Sequence, residues 1–341
     1  MFVGGGGPTK ANRRRLLALL GAGLAPALPA LGQSEKSRRI GLLLLSPFPP
    51  LIDPFLATLR DRGWSSGKNL QVETRVTAPA QSGAPQMARE LIAKGASVIA
   101  VTGTANALAA REASRSVPIV MLASGYPVES GLAASLARPG GNVTGLSVYA
   151  GTEIFGKDVA LFKEAVPRLR ELGIFWGYAP PGFPKVETDI VIDEMTRAAS
   201  ALGINLRLWL NPDMTALERT LIEAAVVPLD AVFVSAGGAQ SAPEGIAKVA
   251  EFCERRRLPT MCDVVGNFFA AGGVLSYSVD FRELGVRAAA FVDRIFRGAK
   301  PAEMPIEQPR RFELVVNMKR ARLIGMSVPP SILTRADRVI E

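Results

Sequence analysis

The stretch from Ala96 to Gly145, ASVIAVTGTANALAAREASRSVPIVMLASGYPVESGLAASLARPGGNVTG, constrains this chain more than any other. Val98 to Val101 is a short apolar run of the kind that forms a parallel strand buried on both faces. Thr102-Gly103-Thr104 breaks it, with Thr104 placed to cap a helix whose Ala- and Leu-containing body runs from Ala105 to Ala113. Val117 to Ala123 is a second strand, which completes a βαβ unit. Right-handed crossovers leave the loops after parallel strands at one edge of the sheet, so 102–106 and 124–128 are expected to share a crevice. A helix N-terminus there, with two threonine hydroxyls and a glycine, offers a place to an anionic group; the same threonines serve equally well as plain helix caps.

The alternation extends in both directions. Arg39 to Leu45 is a strand, Asp53-Pro54 opens a helix to Arg62, Leu70 to Arg75 is a strand and Gln86 to Lys94 a helix. Beyond the central unit a helix is expected at Ser130 to Leu136, and Leu146 to Ala150 is expected to leave for a second lobe. Helices at Phe155 to Val166, Val186 to Leu202, Met214 to Ala225 and Ala242 to Arg256 alternate there with strands at Leu172 to Trp176, Asn205 to Leu210, Ala231 to Ser235 and Thr260 to Val264. Strand Val274 to Val279, helix Phe281 to Phe296, strand Phe312 to Asn317 and a helix to Gly325 follow. The predicted class is α/β, two doubly wound Rossmann-like lobes joined by hinge strands, with 38–147 plus 280–305 in one and 150–276 plus 310–341 in the other.

Residues 1–32 read differently from the rest. Lys10, Arg13, Arg14 and Arg15 precede an uncharged apolar run from Leu16 to Leu31 that is interrupted by Pro26 and Pro29, and small residues at Ala30 and Gly32 suit cleavage before Gln33. That is the pattern of an export signal, of Sec or Tat type, and it places the mature protein in the periplasm. Its removal lowers the net charge of +9 by those four residues. The remainder has no dense Lys/Arg tract and only 6% aromatic residues, a composition that gives no nucleic-acid footprint. Cys253 and Cys262 either pair or stay as buried thiols. With no His in the chain, a Cys/His metal site is excluded and no cofactor motif is present.

Gly131-Leu132-Ala133-Ala134-Ser135-Leu136-Ala137-Arg138-Pro139-Gly140-Gly141-Asn142-Val143-Thr144-Gly145 closely resembles the GLVxSLxxPGGNxTG signature of the tryptophan/tyrosine-type substrate-binding proteins of ABC uptake transporters. Arg39-Ile40-Gly41-Leu42-Leu43, Gly272-Gly273-Val274-Leu275-Ser276-Tyr277 and Phe312-Glu313-Leu314-Val315-Val316-Asn317 match as well, so the resemblance runs from about Arg39 to the C-terminus. It implies a type I periplasmic-binding-protein fold, a small-molecule ligand, a monomer, and as partners a membrane permease with its separate ATPase.

Ligands in such sheets bind beyond the carboxyl ends of the strands. The expected ligand-binding residues are Ser46, Phe48, Thr102, Gly103, Thr104, Ser124 and Tyr126 from the first lobe. Trp176, Tyr178, Ser235, Asp263 and Asn267 are expected from the second, and Tyr149 and Tyr277 from near the hinges. Relatives carry Asp-Pro where this chain has Tyr126-Pro127, an Asn-Pro type turn where it has Tyr178-Ala179-Pro180, and Glu or Ser before the segment aligned with Phe268 to Gly273. The Asp that would hold an ammonium group is therefore missing. The ligand expected is a small aromatic or carboxylate-bearing compound, its anionic end at Thr102 to Thr104 and its ring against Tyr126 or Tyr178. The alternative is an aromatic amino acid. No nucleophile sits beside a candidate base and no phosphate-loop lysine is present, so nothing specifies a reaction; an exported enzyme on the same fold is the remaining rival, and a sugar-repressor-type regulator would need a DNA-binding segment where the export signal stands.

Overall fold

Alternating buried strands and amphipathic helices build two sheets. In the computed structural model, which describes Met1 and residues 37–77, 83–151, 153–177 and 186–341, the first half runs β1 (Arg38–Leu44), α1 (Pro49–Asp61), β2 (Leu70–Val76), α2 (Ala84–Ala93), β3 (Val98–Thr102), α3 (Thr104–Ala113), β4 (Ile119–Ser124) and β5 (Val143–Ser147). The export segment expected at 1–32, Met1 aside, and Tyr178 lie outside the described residues. Every pairing in this sheet is parallel, in the order β2-β1-β3-β4-β5. β3 and β4 are buried along their whole length, which is why they read as continuous apolar runs.

The second half continues with α4 (Ile154–Ala165), β6 (Glu171–Trp176), α5 (Val186–Ala201), β7 (Asn205–Leu210), α6 (Met214–Ala225), β8 (Ala231–Val234), α7 (Pro243–Arg255), β9 (Thr260–Cys262), α8 (Asn267–Ala271) and β10 (Leu275–Val279). It ends with α9 (Phe281–Phe296), β11 (Phe312–Asn317), α10 (Met318–Leu323), α11 (Pro330–Arg335) and β12 (Arg338–Ile340). Its sheet has the order β12-β11-β10-β9-β8-β6-β7, with β10 and β11 antiparallel and the other pairs parallel.

α9 follows a strand of the second sheet but packs on the first. Its Leu284, Ala288, Phe291, Val292 and Phe296 join Ile40, Leu42, Phe55 and Leu59 in one core, and each large side chain so buried stabilises by about 1.5–3 kcal/mol. Asp280 caps this helix by accepting from the Glu283 amide at 3.0 Å. After it, Ile306 donates to the Leu136 carbonyl and Glu307 to that of Gly145, fixing the returning chain along β5 before it crosses to β11. Among the described residues the backbone thus passes between the lobes between β5 and α4, between β10 and α9, and between Glu307 and β11.

Several expectations are corrected by this fold. No helix forms at Ser130 to Leu136: after a turn in which Ser130 donates to the Tyr126 carbonyl, Gly131 takes φ 75° and ends it. Val143 to Ser147 is a strand of the first sheet, so the chain leaves that lobe later than Leu146. Thr104 is the first residue of α3, and the cap position belongs to Gly103 at φ 83°. α8, α11 and β12 were not anticipated. Both cysteines are free and buried, and burial pushes the Cys253 thiol up to about 12.

Candidate functional site

A cavity of about 310 Å³ opens where the carboxyl ends of the two sheets face each other, the place that doubly wound sheets reserve for ligands. On the first-lobe side, Thr102 Oγ1 accepts from the Leu45 amide at 2.9 Å, tying the end of β3 to that of β1. Gly103 is required between them, because a Cβ there would sit 2.6 Å from Leu45 Cδ1. Beneath this loop is the fully buried Asn106, whose Nδ2 donates to the carbonyls of Thr102 at 3.1 Å and Leu43 at 3.3 Å. Thr104 Oγ1 donates to the Gly125 carbonyl at 3.1 Å and accepts from the Gly125 amide at 2.9 Å, so it clamps the loop after β4. Ser46, Phe48 and Ser124 complete this wall, and the Ser124 hydroxyl is buried with no partner among the described residues.

The second lobe contributes Trp176, whose Nε1 donates to Thr188 at 3.2 Å, and Asp263, which accepts from the Ala236 amide at 2.7 Å. Tyr149 and Tyr277 line the cavity at two of the crossings. Tyr149, Phe155 and Trp176 form an edge-on aromatic series, with ring centres 5.1 Å and 6.0 Å apart, and Tyr277 stacks on Phe312 at 5.6 Å.

Ten of the fourteen anticipated residues therefore share one cavity wall: Ser46, Phe48, Thr102, Gly103, Thr104, Ser124, Tyr149, Trp176, Asp263 and Tyr277. Tyr178 is outside the described residues. Three stand elsewhere. Ser235 is a backbone clamp behind the wall, its Oγ accepting from the Gly177 amide at 2.7 Å. Asn267 is exposed at the start of α8. Tyr126, in the left-handed region at φ 35°, inserts among Ile154, Phe155, Val191 and Met195 of the second lobe and packs on Tyr149 at 4.9 Å. Its ring is 5% exposed and its hydroxyl has no partner among the described residues.

Two acidic wall residues were missed. Glu187, in the first turn of α5, crosses the cleft to the first lobe, where a Cβ on Gly125 would lie 2.4 Å from its Oε1. Burial raises its pKa, and the hydroxyls of Thr104 and Tyr149 beside it act in the opposite sense. Asp158 of α4 is 2% exposed, and its Oδ1 has no partner among the described residues. Its pKa is pushed well up by burial and then by Asp263, and burial brings Asp263 itself to about 7. Among the described residues three carboxyl groups thus line the cavity, while no Lys or Arg does. Among the described residues no group of acids converges as a metal site would need.

The comparisons agree with this geometry. The Tyrosine-binding protein of Clostridioides difficile (strain R20291) is 23% identical over 299 residues, 86% of this chain and 82% of that one. The solved ABC domain of Streptococcus pneumonia in complex with L-Trp is 23% identical and superposes with a TM-score of 0.78, covering 89% of this chain and 100% of its own. A conserved domain protein from Vibrio cholerae, also 23% identical and with the same coverage, gives 0.79. The shared fold is the two-lobe architecture of type I periplasmic binding proteins. A family model described as ABC transporter substrate binding protein matches residues 51–340, and the chain belongs to that family.

Proposed function

We propose that this protein is the extracytoplasmic receptor of an ABC uptake system, closing its two lobes on a small ligand that carries an aromatic ring and a protonated amine. The observation that carries the reading is the composition of the cavity: among the described residues its wall has seven aromatic side chains and three carboxyl groups and no basic residue. Rings supply flat apolar surface and attract a cation over their faces, and a buried carboxylate needs a positive partner. The names of the relatives, a tyrosine-binding protein and a domain solved with L-Trp, support an aromatic amino acid as the nearest chemistry. The volume, at the lower end of ordinary ligand pockets, suits one such molecule.

Family membership supports delivery to a membrane permease driven by a separate ATPase, and release of the ligand chemically unchanged. Export rests on residues 1–32; among the described residues no helix is long and apolar enough to cross a membrane. Ligand closes the lobes because it contacts both, so the closed form has the greater affinity.

A calorimetric screen of the purified protein tests the reading, using aromatic amino acids, aryl amines and aromatic acids that lack nitrogen. Saturable binding confined to compounds with both ring and amine is expected. Binding of the nitrogen-free acids alone would overturn it.

A further inference from the structure

The place that the sequence offers to an anion, the N-terminus of α3, is already taken by an anionic group of this chain. Glu187 reaches across from the second lobe to lie beside Thr104 and over Gly125. A ligand carboxylate docked there would meet that side chain, and among the described residues no Lys or Arg lines the cavity to receive it elsewhere. At the Tyr277 side of the same cavity, Asp158 lies on the apolar stripe of α4 among Ile154, Phe155, Val159 and Phe162. A carboxyl group 2% exposed, lining a ligand-sized cavity and without a partner among the described residues, is an acceptor waiting for a donor.

We propose that the solute is a net cation, an aryl amine without a carboxylate, and that Asp158 is the residue that takes its ammonium group. This rests on the cleft being a solute site, as argued above, and narrows the ligand from a ring-bearing amine to one with no acid function. An ammonium between Asp158 and the rings of Phe155 and Tyr277 satisfies the buried carboxyl and gains from the ring faces. A zwitterion brings the same ammonium but also a carboxylate, and at the α3 end that would receive it Glu187 already lies beside Thr104.

In the empty cleft Asp158 holds its proton, since burial raises its pKa well above the usual carboxylate range. The ammonium ionises it as it docks, and the proton leaves to solvent. Binding of an aryl amine is therefore expected to release protons, from Asp158 and from Asp263, which burial brings to about 7, and the share that Asp158→Asn removes is the readout that a merely structural Asp158 would not produce.

Isothermal calorimetry with tyramine and tryptamine against tyrosine and tryptophan, each in two buffers of different ionisation enthalpy, tests this on the unmodified protein. The amines are expected to bind at least about tenfold more tightly than the amino acids, which is about 1.4 kcal/mol, with net proton release. Asp158→Asn, which keeps the shape of the side chain, is expected to reduce amine affinity by a similar factor and to lower the release. Amino acids binding more tightly than the amines, or proton release unchanged in the variant, would overturn the proposal and leave the cleft a solute site for zwitterions. No saturable binding of either set would remove the ring-and-amine reading itself.

Discussion

Asp263 gives the sharpest case for how single residues set the behaviour of this cleft. Its pKa rises from 3.8 to about 7 in the folded protein, chiefly through burial, so the folded state holds the proton more tightly than the unfolded state. The stability that this supplies is complete below about pH 4 and is lost progressively as pH rises towards 7. Asp263→Asn keeps an acceptor for the Ala236 amide but does not titrate. Calorimetric melting of the empty protein is expected to show the wild-type midpoint falling relative to the variant across that window, whereas parallel profiles would contradict the assigned shift. Ten wall residues were legible in the sequence, several because they stand at the carboxyl ends of strands, as Thr102, Ser124 and Trp176 do. Glu187 was not, since it lies in a helix whose nearby Asp189 and Asp193 read as a solvated face. Asp158 did carry a signal: it stands three residues after Phe155 and four before Phe162, on the stripe that should be apolar. Tyr126 was misplaced because a Pro-flanked aromatic reads as a ligand wall, and nothing local reveals that its backbone turns left-handed and buries the ring in the opposite lobe.

Among the elements, the pairing of α1 with α9 shows what periodicity can and cannot reveal. The bounds of α9 follow from its apolar stripe and its Asp280 cap, yet the pattern is silent about which sheet the stripe covers. Gly285 settles the distance of approach. A Cβ there would come within 2.3 Å of the Leu51 carbonyl and 3.1 Å of the Phe55 amide, both backbone atoms of α1. Helix propensity alone favours Gly285→Ala by about 1 kcal/mol. The clash dominates, and the substitution is expected to destabilise by about 1–3 kcal/mol in denaturant unfolding; a raised midpoint would contradict the packing described. The absence of a helix at 130–136 and the presence of β12 have the same origin, because Gly131 and an exposed edge strand take their conformations from tertiary contacts rather than from local pattern.

The whole molecule is two sheets whose loops meet over one cavity, with Tyr126 and Glu187 each reaching into the opposite side. Glu187 lies against Gly125 of the first lobe. Gly125→Ala would place a methyl group 2.4 Å from Glu187 Oε1 and 2.8 Å from Tyr149 Cε2, so the Glu187 side chain must swing aside and closure of that variant is expected to be weakened while each lobe remains folded. Small-angle X-ray scattering of the wild type and of Gly125→Ala, each with and without a saturating ring-bearing amine, tests the clamshell most directly. The account predicts that ligand lowers the radius of gyration of the wild type and lowers that of the variant less. A wild-type scattering profile that is the same at zero and at saturating ligand would contradict it.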